Sequence, residues 1–138
     1  MPPFNRLAFA AALGGLLAAP ATFLVLATHA EAASVIAPYD KDHSGELDIA
    51  EVKAAVSAAF DRRDKDHHKA LDRKELDGVL SDADFDAADT DHDGKVSKDE
   101  YLAFTAKLFK DADTDHDGGL SKHIAHTEAG RTLLRMFK

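Results

Sequence analysis

Four acidic twelve-residue stretches, beginning at Asp40, Asp64, Asp89 and Asp113, constrain this chain more than anything else in it. Successive starts lie 24, 25 and 24 residues apart. The third, Asp89-Thr-Asp-His-Asp-Gly-Lys-Val-Ser-Lys-Asp-Glu100, has Asp at positions 1, 3 and 5, Gly at 6, an apolar residue at 8 and Glu at 12. On a tightly wound loop alternate side chains point inward, so Asp89, Asp91 and Asp93 converge. Gly94 permits the turn because it has no Cβ to resist a positive φ. Gathered carboxylates repel one another unless a cation stands among them, and a hard cation takes about six to eight oxygens at roughly 2.3–2.6 Å. The carbonyl of Lys95, the Ser97 side chain directly or through water, and both oxygens of Glu100 would complete such a shell.

This is the pattern of an EF-hand loop, and it is an internal repeat. Loop one offers side-chain oxygens from Asp40, Asp42, Ser44, Asp48 and Glu51, with the carbonyl of Glu46 at position 7. Loop two keeps Asp64, Asp66, Asp72 and Glu75 at positions 1, 3, 9 and 12, but carries His68 at position 5 and Lys69 where Gly belongs. A left-handed Lys costs about 1 kcal/mol relative to Gly, and imidazole is a softer donor than carboxylate, so a weakened site is expected. Loop four keeps Asp113, Asp115 and Asp117, with the Gly119 carbonyl and Ser121 at positions 7 and 9. Its twelfth residue is Ile124, and weak binding completed by water is expected there. Glu128 lies one turn further on and could substitute only if the helix start shifted.

Only 12 or 13 residues separate one loop from the next, room for about three helical turns. The helix leaving one loop must therefore largely serve as the helix entering the next. The expected fold is all-α: four loops on a short period around a compact three-helix bundle with shared helices. Ile49, Val52, Val56, Ala59 and Phe60 fall on one helical face, as do Tyr101, Phe104 and Leu108. Between loops two and three, Leu76, Val79 and Leu80 form a short apolar face, and Ser81-Asp-Ala-Asp84 reads as the N-cap of a new short helix carrying Phe85. Position 8 is apolar throughout (Leu47, Leu71, Val96, Leu120), and such residues join loops through short antiparallel bridges. A hairpin between loops two and three places those two together, which predicts the pairs two–three and one–four. Thr127-Glu-Ala-Gly130 reads as the start of a last helix that packs Leu133, Leu134 and Phe137 on the core.

Charge narrows the partners. The formal charge is −8, with 25 acidic and 17 basic residues, which argues against a nucleic-acid backbone and suits cations. The chain has no cysteine, so thiolate sites and disulfides are excluded. Residues 1–32 read as a signal peptide, with Arg6 ahead of an apolar run and Ala30-Glu31-Ala32 as the cleavage signal. Residues 33–138 would then be the exported metal-binding domain, periplasmic in a bacterium or secreted, with no stable membrane insertion after cleavage. An uncleaved anchor is the alternative, since the uncharged run is about 21 residues.

The loops and their short gaps, after an export signal, resemble lanmodulin, a lanthanide-binding periplasmic family. The resemblance rests on the spacing, on Asp48 and Asp72 at loop position 9, on Phe60-Asp-Arg-Arg-Asp64, on Glu100-Tyr-Leu-Ala103 and on Ala129-Gly130. It implies a three-helix core with peripheral sites that folds on capture of trivalent lanthanides. The chain departs from that family at loop position 2, where Lys41, Lys65, Thr90 and Thr114 stand in place of Pro, and at position 9, where loops three and four have Ser97 and Ser121.

Lanthanide(III) or Ca2+ is the expected cofactor, with a Ca2+-specific periplasmic buffer or sensor acting on a protein partner as the alternative. No Ser-His-Asp order, phosphate cradle or zinc-protease signature is present, and nearly every Asp has a place in a loop, so no catalysis is expected. His43, His67, His92 and His116 recur at position 4, which points outward from such a loop. A softer-metal site of His116, His123 and His126 is the rival reading.

Overall fold

The computed structural model describes residues 35–121 and 124–138. The expected export segment lies outside them. Each loop is tied to an apolar residue four positions ahead of it. Asp40, Asp64, Asp89 and Asp113 donate their backbone N–H groups to the carbonyls of Ile36, Phe60, Phe85 and Phe109, at 3.0, 2.9, 2.8 and 2.9 Å. Those four apolar side chains are all buried, so the start of every loop is hydrogen-bonded to a residue rooted in the core.

The described residues contain four α-helices: α1 (Ile49–Arg63), α2 (Asp82–Ala88), α3 (Lys98–Ala112) and α4 (Glu128–Met136). Helices α1 and α3 have 15 residues each, about 22 Å at 1.5 Å per residue. Each begins at position 10 of one loop and ends one residue before the next, so the exiting helix is indeed the next entering helix. Both open on a capping box, Asp48 with Glu51 and Ser97 with Glu100. Two exposed helix N–H groups are satisfied reciprocally in such a box. Loop positions 9 and 12 are therefore also N-cap and N3.

The short helix between loops two and three is α2. Its N-cap Ser81 accepts from the Asp84 N–H at 3.1 Å, and Phe85 is buried. The expected three-helix, all-α description needs correction on two points. Loop two is not followed by a regular helix: residues 73–79 form successive turns, with Gly78 at φ +72°, a conformation that breaks helical continuity. The described residues also contain four two-residue strands: β1 (Leu47–Asp48), β2 (Ala70–Leu71), β3 (Val96–Ser97) and β4 (Gly119–Leu120).

Those strands pair the loops. β1 lies antiparallel to β4 with Leu47 opposite Leu120, and β2 lies antiparallel to β3 with Leu71 opposite Val96. Loop one is thus joined to loop four, and loop two to loop three. The four position-8 side chains are 0–2% exposed, so each bridge is also an apolar contact. Helix α3 packs against α1, α2 and α4. The Phe60 and Tyr101 rings meet at 5.5 Å, and burial pushes the Tyr101 hydroxyl up to about 12 against the opposing charge of Arg63. Thr127 caps α4 by accepting from Gly130 at 2.9 Å. Leu133 and Phe137 are fully buried and Leu134 is half-buried. No helix among the described residues is long and apolar enough to cross a membrane.

Candidate metal centres

Among the described oxygen-bearing loop residues, the first Asp of each loop has its side chain buried. Asp40, Asp64, Asp89 and Asp113 are 8, 5, 4 and 8% exposed. A buried carboxylate needs hydrogen-bond donors, and the loop backbone supplies them. Asp40 Oδ1 and Oδ2 accept from the N–H groups of Ser44 and Gly45 at 3.1 and 2.9 Å. Asp64 accepts from His68 and Lys69, and Asp89 from Asp93 and Gly94. In loop four Asp113 Oδ2 accepts from Gly118 at 3.1 Å, while Oδ1 has no partner among the described residues.

Bringing these N–H groups inward requires two left-handed residues per loop. One is position 6: Gly45, Gly94 and Gly118 at φ +84 to +87°, and Lys69 at φ +62°. The other is position 4, where His43, His67, His92 and His116 all have φ of 57–59°. Each of these His side chains is exposed. His tolerates the left-handed region better than most non-glycine residues, which gives the repeated His a backbone reason that sequence reasoning missed. His123, part of the rival softer-metal site, lies outside the described residues.

The carboxylates then gather unequally. In loop one, oxygens of Asp40, Asp42 and Glu51 lie within 4.8 Å of one another. Asp42 is held below the usual carboxylate range, first by the Ser44 hydroxyl and then by the Ser44 amide. The Glu46 carbonyl accepts from the Ser44 hydroxyl at 3.1 Å, and Asp48 accepts from the Glu51 amide at 2.7 Å. In loop three, Asp89, Asp91 and Asp93 form the equivalent group, and the Lys95 N–H donates to Asp93 at 2.8 Å. Glu100 stands outside that group. Thr90 donates to its Oε1 through both hydroxyl and amide, and Ser97 donates to its Oε2 through both as well. Burial raises the Glu100 carboxyl, but these donors outweigh it and hold the group down to about 2.

Loop four brings together Asp113, Asp115 and Asp117. The Gly119 N–H donates to Asp117 at 2.9 Å, and Ser121 is half-buried beside them. Ile124, at position 12, is 2% exposed in the core. Glu128 is exposed on the first turn of α4 and does not join the group. Loop two has no such gathering among the described residues. Asp66 instead pairs with His68 at 2.7 Å, a hydrogen bond that lowers its carboxyl despite partial desolvation. Asp72 and Glu75 face each other's backbone, with Glu75 N–H donating to Asp72 at 2.9 Å and Asp72 N–H to Glu75 at 3.2 Å.

The donors in the three gathered loops are all oxygens, as a hard cation requires. The unsatisfied Asp113 Oδ1 is a buried acceptor with its place open to such an ion. The residues fit a hard cation in loops one, three and four, and fit it poorly in loop two. The Thr90 hydroxyl belongs to the site as well. Its signal in the sequence was a position-2 side chain able to reach position 12.

Comparison with known families agrees with this geometry. A family model described as an EF-hand domain pair matches residues 37–106, which include the first three loops. One described as an EF hand matches residues 105–123, reaching into the fourth. No curated protein matches the chain.

Proposed function

The chain belongs to the EF-hand domain pair family, and from that premise we propose that it is an exported, non-catalytic binding protein of lanmodulin type, taking up lanthanide(III) or Ca2+ ions and ordering as it does so. The observation that carries this reading is the gathering of carboxylate oxygens within 4.8 Å in three separate loops. Like charges held so close repel in the metal-free chain and attract a cation strongly. Asp40, Asp42 and Glu51 would hold an ion in loop one, and Asp89, Asp91 and Asp93 would hold one in loop three, with the position-12 carboxylate of Glu100 turning in to join them. Asp113, Asp115 and Asp117 would do so in loop four. A bound cation supplies the charge that lets these oxygens stay together, so binding free energy becomes folding free energy. Export is supported by the character of residues 1–32.

A trivalent ion gains more than a divalent one from each carboxylate, since attraction scales with charge. The Ca2+-specific alternative, a periplasmic buffer or sensor acting on a protein partner, draws on Ser97 and Ser121, which are neutral at position 9. Circular dichroism of the chain from residue 33 onward, during calcium and lanthanum titrations with each ion competed against the other, tests both. Helicity rising with metal and lanthanum displacing calcium are expected. Full helicity in chelator would refute ordering by metal, and preferential retention of calcium would favour the alternative.

A further inference from the structure

Loop four differs from loops one and three where the twelfth residue acts. Resting on the reading above, we propose that an ion in loop four keeps an exchangeable coordination face that takes a small carboxylate from solution. This site then forms ternary complexes, and the sites in loops one and three do not.

Three observations carry this. Asp113, Asp115 and Asp117 are gathered as in loop three, and Asp113, 8% exposed, has an oxygen without a hydrogen-bond partner among the described residues. In the other three loops the matching oxygen is satisfied by the position-5 N–H. Loop four therefore has a buried acceptor that a cation would satisfy.

Secondly, nothing from position 12 can reach that cation. Ile124 is buried and starts the short 3-10 turn Ile124–His126. Gly130 packs so closely beneath it that a Cβ there would lie 1.6 Å from the Ile124 carbonyl oxygen. That approach sets α4 directly against the backbone of position 12, whose buried apolar side chain has no oxygen to offer an ion.

Thirdly, Thr114 and Ile124 line a recess of about 10 Å³ with Asp115, Gly119 and Ser121, room for about one water or, in its place, one carboxylate oxygen whose carbon stays on the solvent side. In loop three the corresponding residues, Thr90 and Glu100, are joined by a 2.7 Å hydrogen bond. The group absent from loop four is a carboxylate, so a free carboxylate restores the same donor. Three Asp charges neutralise a trivalent ion, leaving no net repulsion toward such an anion, whereas with Ca2+ one negative charge remains. The effect is therefore larger for trivalent ions.

The test is a europium(III) titration of the full chain, reading luminescence decay in H2O and D2O with and without malonate. One europium population is expected to carry more bound water than the others and to lose it when malonate is added. Asp115→Asn should abolish that population alone. Ile124→Glu should abolish its response to malonate; should that buried substitution unfold the chain, Asp115→Asn, at an exposed position, still assigns the population. Uniform decay of all bound europium, an equal malonate response at every site, or no loss with Asp115→Asn would overturn the inference. Absence of europium from loops one and three, scored by Glu51→Gln and Glu100→Gln, would instead overturn the parent reading.

Discussion

The hydroxyl of Thr90 donates to Oε1 of Glu100 at 2.7 Å, and the Thr90 N–H donates to the same oxygen at 2.9 Å. The other Glu100 oxygen is held by Ser97. The carboxylate is thus oriented from both sides by the chain's own donors, and such orientation reduces the entropy lost on binding. Loop one achieves part of this through the Lys41 N–H, 2.6 Å from Glu51 Oε1, without a hydroxyl. Thr90→Val should therefore weaken loop three by about 0.5–1.5 kcal/mol, the usual net worth of one hydrogen bond. Glu100→Gln should weaken it more. Calorimetric titration of both variants checks the order, and equal losses would remove Thr90 from its supporting role.

Acid should release this arrangement late. The Glu100 carboxyl is depressed from its ordinary 4.5 to about 2. A depressed acid stabilises the folded form at pH above its unfolded value and loses that contribution as pH falls through the folded value. The Glu100 contribution should be complete above pH 4.5 and disappear between about 4.5 and 2. Following the Glu100 carboxyl by NMR in the folded population of the metal-free chain, identified by its α3 helical signals, checks this; a midpoint near 4.5 in that population would show that Thr90 and Ser97 do not hold it.

Lys69→Gly should strengthen loop two. Lys69 sits at φ +62°, and relieving a left-handed side chain is worth about 1 kcal/mol. The same argument applies to His92 at φ +58°. His92→Ile should cost stability because a β-branched residue resists that conformation, whereas His92→Ala should leave metal affinity far closer to wild type than Glu100→Gln. Thermal denaturation and calorimetry separate the two effects. Equal affinity losses in His92→Ala and Glu100→Gln would overturn the ligand assignment.

Leu47→Ala should act on two loops at once. Leu47 is fully buried and lies opposite Leu120 across the bridge from loop one to loop four. Emptying such a position costs about 2–5 kcal/mol. Affinity should fall at both of those loops while loop three, paired through Leu71 and Val96, changes less. Site-resolved NMR titration reads this directly, and a loss confined to loop one would mean the bridge does not couple them.

Local features were legible because they depend on covalent spacing. Ser81 and Thr127 were readable as N-caps because a cap needs only its own side chain and the amide three residues on. The turns after Asp72 were not readable: Leu76, Val79 and Leu80 suit a helix equally well, and it is the backbone at Gly78 that interrupts one. The exposure of the position-4 His residues was readable, but the backbone reason for them was not. Their repetition was visible, but the φ that favours them appears only once Asp40, Asp64 and Asp89 draw the loop amides inward.

By itself, the sequence determined which oxygens each loop can offer, and it made α1 and α3 serve two loops each, since 12 or 13 residues leave no room for more. Tertiary structure alone decided which carboxylates stand together. Loop two has four acidic candidates, yet no gathered group forms among its described residues, because Asp66 pairs with His68. Loop four keeps three Asp together while Ile124 is held in the core. Donor identity is a property of the chain, whereas convergence is set by the packing and hydrogen bonds that hold each side chain in place.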